Sequence, residues 1–163
     1  MTQLYRDIVE ECAERGERKL ARLIEMFNGR LDPVSEVEIP AYFCLPDSPV
    51  RILISTVALG MGVQVQDVRH VVHWGTPSSV LAYWQEVSRC GRDMLSASAF
   101  LYLPPRSVDR RIIDEDMRNI ISQNKRCVRE QILSYMQLKG ITDEDIRARC
   151  MGSRCCSVCN SVQ

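Results

Sequence analysis

Three stretches of this sequence constrain the fold more than anything else in it: VRILISTVAL (50–59), VRHVVHW (68–74) and ASAFLYL (97–103). The first is a near-continuous β-rich apolar run, the mark of a central strand covered on both faces, and the second is of the same kind. The glycines of GMG (60–62) break the first, and Pro104-Pro105 end the third. Between the second and third, Thr76-Pro77-Ser78 leads into a segment with apolar residues at Val80, Trp84 and Val87, the spacing of one helix face, and Gly91 is its natural stop. Strands alternating with helices predict an α/β fold with a parallel sheet and crossover helices.

The flanking segments extend this plan. Leu4, Ile8 and Cys12 predict an amphipathic helix over 2–15, whereas RLIEMF (22–27) fits a helix or a strand. Asp32-Pro33 reads as an N-cap followed by a first-turn proline. Pro40 falls inside the helix that starts there, at a cost of roughly 3 kcal/mol in a regular helix, so a short or kinked helix is expected. After the double proline, Ile112, Ile113, Met117, Ile120 and Ile121 make one amphipathic face, and Val128, Ile132, Leu133 and Met136 make another. The expected organisation is an α/β lobe over 1–105, then a helical extension with a cysteine-rich tail over 106–163.

Charge narrows the class. Among 163 residues, 21 lysines and arginines balance 21 aspartates and glutamates, which argues against coating nucleic acid by bulk charge but leaves room for a local basic groove. The charged amino terminus has no apolar core for a signal peptide, and no apolar run approaches membrane-spanning length, so an intracellular protein without membrane partners is expected. Of eight cysteines, Cys12, Cys44 and Cys90 stand alone and read as small buried hydrophobes. Cys150, Cys155, Cys156 and Cys159 crowd together, with Cys127 upstream, and such clustering favours a metal.

The remaining signal is a pair of arginines without an obvious carboxylate partner. QEVSRCGRD (85–93) sets Arg89 and Arg92 at a helix end, and STVALGMG (55–62) supplies Gly60 and Gly62, where backbone amides can approach an anion closely. Both loops are expected at the carboxyl edge of the sheet, where ligands of doubly wound folds bind. A G-x-G turn alone is commonly just a turn, and R-x-x-R at a helix end is commonly solvated charge that suits the helix dipole. Arginine nevertheless fits phosphate well, because its planar fork bonds two oxygens at once and stays charged.

Taken together, STVALGMGV and DVRHVVHWGTPSSVLAYWQEVSRCGRD resemble motifs V and VI of RecQ-type DNA helicases, whose motor is two RecA-like lobes; this chain resembles the second lobe. Gln85, Glu86, Arg89, Gly91, Arg92 and Asp93 match the family pattern Q-E-x-G-R-x-G-R-D-G. The resemblance implies that Arg92 is an arginine finger reaching ATP on the first lobe, with Arg89 its γ-phosphate partner. It implies that Gly60, Met61 and Gly62 couple nucleotide state to the DNA backbone, with Ser55 and Thr56 facing DNA phosphate or the cleft between lobes. Ser88 and Met94 stand where the family has glycine, and Met94 matters if the backbone there needs a positive φ. His73 reads as a packed histidine in a strand, without a proton-transfer role.

CVREQILSYM (127–136) is similar to the start of the zinc-binding subdomain that follows the second lobe in this family. The resemblance implies a structural four-thiolate zinc site from Cys127, Cys150, Cys156 and Cys159. Cys155 competes with Cys156, which alone makes the C-x-x-C spacing with Cys159. Neither G-x-x-x-x-G-K-[ST] nor D-E-x-H occurs in the sequence. Both belong to the first lobe, so ATP and Mg²⁺ are expected to be used only together with such a lobe.

The family implies 3′ to 5′ movement on DNA, action at single-strand/duplex junctions in recombination, replication and repair, and a nuclear location. A DEAD-box RNA helicase lobe would carry A-R-G-[IL]-D and H-R-x-G-R here, and this chain carries neither. The alternative from a different class is a zinc-dependent module that binds DNA or protein without ATP turnover.

Overall fold

A computed structural model describes residues 2–28, 31–56, 65, 67–105, 107–109, 111–123, 125–136, 141–150 and 155–160. The chain divides into two compact units, Met1–Asp67 and Val68–Gln163.

The first unit contains helices α1 (Thr2–Glu14) and α2 (Arg18–Ala21), strand β1 (Ile24–Phe27), helix α3 (Pro33–Phe43) and strand β2 (Ile52–Ser55). Strands β1 and β2 pair in parallel, from Ile24 opposite Ile52 to Phe27 opposite Ser55. The ambiguous RLIEMF segment is therefore a strand. Its buried residues, Ile24 and Phe27, are an odd number of positions apart and point to opposite faces, so no alternation betrayed it. Helix α3 starts as expected, with the Asp32 carboxylate accepting from the Val34 and Ser35 amides at 3.1 Å each. It runs through Pro40 and reaches 11 residues. Pro40 lacks the N–H that would bond the Glu36 carbonyl, but Glu36 lies on the exposed side of the helix, where water can serve that oxygen.

The second unit begins with strand β3 (His70–Trp74), helix α4 (Val80–Val87) and strand β4 (Ser98–Tyr102). Helices α5 (Glu115–Ser122), α6 (Val128–Tyr135), α7 (Asp143–Cys150) and α8 (Ser157–Asn160) follow. β3 and β4 are parallel, with Val72 opposite Phe100 and Trp74 opposite Tyr102. Both units thus contain a strand–helix–strand crossover. The strands form two separate parallel pairs among the described residues, and β3 is not covered on both faces as its composition suggested. His70, Val72 and Trp74 line up with Ser98, Phe100 and Tyr102 on one exposed face, where Trp74 and Tyr102 bring their rings to 6.1 Å. The opposite face sends Leu101 to the core.

That core joins Val80, Ile113, Met117, Ile120 and Ile132, with Tyr83, Leu101, Ile121, Val128 and Met136 packed around it. Two serine and aspartate caps aim the helices at it. Ser79 Oγ accepts from the Ala82 amide at 3.0 Å, and the Asp114 carboxylate accepts from the Met117 amide at 2.7 Å. The Asp114 amide in turn donates to the Ser78 carbonyl at 2.8 Å, which ties the starts of α4 and α5 together.

Met117 is 1% exposed and Ile112 is 69% exposed. Met117→Ala should therefore destabilise this unit by about 3 kcal/mol, while Ile112→Ala should change it by less than about 0.5 kcal/mol. Both tryptophans, Trp74 and Trp84, lie in the second unit, so urea unfolding followed by tryptophan fluorescence reads this difference directly.

Candidate nucleotide and metal sites

Helix α4 carries the first half of the arginine constellation. Gln85 is exposed, while the Glu86 carboxylate turns back to β3 and meets His73 Nε2 at 2.7 Å. His73 is therefore a structural residue, with the Tyr83 ring tilted against its own at a centroid distance of 5.2 Å. Its Nδ1 is buried and lacks a hydrogen-bond partner among the described residues.

The helix ends at Val87, ahead of the expected stop. Ser88 caps it at φ −65° and ψ −1°, so serine at this family glycine position adopts ordinary helical backbone without strain. One further turn, held by the Arg89 amide on the Glu86 carbonyl and the Cys90 amide on the Val87 carbonyl, carries Arg89 to half-buried ground. Gly91 then takes φ +69° and comes so close to Ala97 that a Cβ would lie 3.2 Å from the Ala97 methyl. Arg92 folds back and donates its Nε–H to the Ser88 carbonyl at 3.1 Å.

Arg92 is close enough to Arg89 for its charge to act on it. Burial lowers the pKa of Arg89, the Arg92 charge lowers it further, and Glu86 offsets part of the effect. The two neighbouring carboxylates meet other side chains, Glu86 the imidazole of His73 and Asp93 the guanidinium of Arg69. The hydrogen bond and charge of Arg69 hold the Asp93 carboxyl below its ordinary range.

Met94 has φ +65°, the one positive value for a non-glycine among the described residues, and its side chain is 92% exposed. The family glycine at this position is thus explained by backbone conformation, and methionine holds it under strain.

The arginine loop also lies at the opposite edge from the one expected. Because α4 leaves the carboxyl end of β3 and returns to start a parallel β4, its own end is delivered to the amino edge of the pair. There the Gly91 amide donates to the Val68 carbonyl at 3.1 Å. Ser55 and Thr56 lie in the first unit; Ser55 ends β2 and the Thr56 amide donates to the Phe27 carbonyl at 3.1 Å. Gly60, Met61 and Gly62 fall outside the described residues.

In the tail, Cys127 Sγ lies 3.5 Å from Cys155 Sγ and 3.9 Å from Cys156 Sγ, and Cys156 Sγ lies 3.6 Å from Cys159 Sγ. All four sulfurs fall within 4.8 Å of one another. Zn–S bonds of about 2.3 Å in a tetrahedron put sulfurs about 3.8 Å apart, so the set fits zinc. Burial pushes the Cys156 thiol up, but hydrogen bonds with the Cys159 and Val128 backbone and with the Cys159 and Cys127 side chains bring it down to about 7. The bond to Cys156, then that to Cys127, pushes Cys159 up to about 12. One thiolate forms readily and the next is opposed, an imbalance that a dication relieves. Cys155, which spacing had ranked below Cys156, stands in the cluster beside it, while the side chain of Cys150 lies outside the described ones. A C-C-x-x-C run opposite a helix N-cap cysteine was the available signal.

Residues 4–94 match the family described as helicase conserved C-terminal domain. The ATP-dependent DNA helicase RecQ of Pasteurella multocida is 45% identical over 56 residues, 34% of this chain and 9% of that protein. The mouse bifunctional 3′-5′ exonuclease/ATP-dependent helicase WRN is 32% identical over 127 residues, 68% of this chain and 9% of that protein. A protein of Acanthamoeba polyphaga mimivirus, provisionally named an ATP-dependent RNA helicase, is 28% identical over 127 residues, 71% of this chain and 23% of that protein. The chain belongs to the helicase conserved C-terminal domain family, with a RecA-like fold, and within it to the RecQ type. It spans less than a quarter of each of these relatives.

Replacing Met94 with glycine removes a left-handed methionine whose side chain has little packing to lose. Met94→Gly should stabilise the second unit by about 1 kcal/mol in urea unfolding followed by tryptophan fluorescence.

Proposed function

We propose that this chain supplies the second motor lobe of an ATP-dependent 3′ to 5′ DNA helicase and works with a first RecA-like lobe in cis or in trans. One observation carries this reading: Arg89 and Arg92 stand close together at the end of α4, while the carboxylates of Glu86 and Asp93 make contacts to His73 and Arg69. Two cations held together against their repulsion favour a multiply charged anion, and phosphoryl transfer needs such charge where the transition state develops it. Arg92 acts as the arginine finger and Arg89 as its γ-phosphate partner. Gln85, Ser55, Thr56, Gly60, Met61 and Gly62 couple nucleotide state to a DNA backbone at a single-strand/duplex junction. Work in recombination, replication and repair places the protein in the nucleus.

The thiol cluster holds a structural zinc. Cys127, Cys156 and Cys159 supply three ligands, and Cys155 or Cys150 supplies the fourth. Bound there, zinc neutralises thiolate charge and cross-links α6 to the tail.

A second reading has a specific observation in its favour. The strained Met94 sits two residues after Arg92, where a displaced loop would leave a zinc-dependent binding module without ATP turnover.

Mixed with a separately expressed RecQ-type first lobe, the chain should show ATPase activity stimulated by single-stranded DNA, with neither component active alone. Arg92→Ala should lower kcat by on the order of a thousandfold. Silence in a demonstrably associated pair would favour the binding module.

Metal analysis of the purified chain should find one zinc per chain, lost in Cys127→Ser. Comparing Cys150→Ser with Cys155→Ser identifies the fourth ligand, since only the ligand's loss lowers occupancy. Chelation should lower the thermal stability of α6 and the tail, followed by circular dichroism, because zinc binding energy is folding energy.

A further inference from the structure

From Arg89 to Ala97 the arginine loop has no regular secondary structure, yet its start and end are fastened to the two residues ahead of β3. The Gly91 amide reaches the Val68 carbonyl, and the Ser98 amide reaches the Arg69 carbonyl at 2.9 Å. The Arg69 side chain spans the space between. Its guanidinium bonds the Asp93 carboxylate through one terminal nitrogen and the Ser96 carbonyl, at 3.2 Å, through the other. Asp93 also accepts from the Leu95 amide at 3.1 Å, which fixes the turn containing Met94. Arg69 is about one-third exposed and Asp93 about one-fifth, so the pair is only partly screened by water.

We propose that Arg69 is a positioning residue for Arg89 and Arg92, acting through Asp93 and never touching nucleotide itself. The proposal rests on the reading that those arginines meet a polyphosphate. Arg69 does two things there. It ties the loop to the rigid start of β3, and it occupies the one carboxylate adjacent in sequence to Arg92. Without Arg69, Asp93 becomes a loose anion beside two cations and competes with phosphate for them. A neutral tether would do only the first, so the two roles separate experimentally.

The test uses the full chain labelled with ¹⁵N and follows the Nε–H signals of Arg89 and Arg92, with inorganic tripolyphosphate as the probe. Wild type should show saturable shifts of both signals. Arg69→Ala should weaken tripolyphosphate binding by about tenfold and shift the Arg92 signal as its bond to Ser88 loosens, whereas Arg69→Lys should stay within about threefold of wild type. Adding Asp93→Ala to Arg69→Ala should recover part of the lost binding, which a purely structural role would not produce. Should Arg69→Ala fail to fold, Arg69→Gln, which removes the charge and keeps a donor for Ser96, isolates the second role: tripolyphosphate binding should still weaken while the Arg92 signal of the free chain stays in place, and unchanged binding overturns the proposal.

Binding within about twofold of wild type in a folded Arg69→Ala chain overturns the proposal. If wild type binds no tripolyphosphate, the phosphate reading fails, and the clamp is judged on the free chain: an Arg92 signal unmoved by Arg69→Ala overturns it, and one that collapses toward the unfolded position sustains it.

Discussion

A helix that links two parallel strands has to run back against them, and most of the arginine site follows from that requirement. Helix α4 leaves the carboxyl end of β3 through Gly75, which takes φ +102°, and is capped by Ser79. Its other end must then arrive at the amino edge, beside Val68 and Arg69. The loop there needs anchors that β-sheet hydrogen bonding alone does not provide. Gly91, Asp93 and Arg69 supply them, and the arginines are displayed from that fastening. The core beneath, from Val80 through Met117 to Ile132, fixes α4 against α5 and α6 and so fixes the loop's point of departure.

Much of this was legible in the sequence, for identifiable reasons. Continuous β-rich runs mark strands whatever their surroundings, and all three were found, although β2, β3 and β4 are shorter than the runs that announced them. Asp32 acts as a cap, as read from the sequence, because its short side chain reaches the orphan amides of the first turn. The importance of the backbone at Met94 was visible as a departure from the family glycine, and its φ of +65° gives the reason.

Other features were hidden. β1 escaped assignment because four residues with burial at both ends carry no period. The partners of His73 and Arg69 lie 13 and 24 residues away, distances at which residue identity alone says nothing of contact. The loop's edge was misjudged because ligand sites were placed by the general rule for open sheets. The direction of α4, set by the parallel pairing, overrides that rule. Cys155 was ranked by spacing, which measures separation along the chain, whereas a tail that folds over a helix N-terminus brings adjacent thiols to the same point.

Cys127 belongs to two systems at once. Its Sγ lies among the clustered thiols and also accepts from the Glu130 amide at 3.4 Å as the N-cap of α6. That helix carries Ile132 into the buried core and Val128 against it. Oxidation of Cys127 would therefore remove a cap as well as a member of the thiol cluster, and the first turn of α6 would fray from its sulfur end. The damage would travel along one helix into the hydrophobic interior, so the thiol chemistry of the tail acts as a latch on the packing beneath the arginine helix.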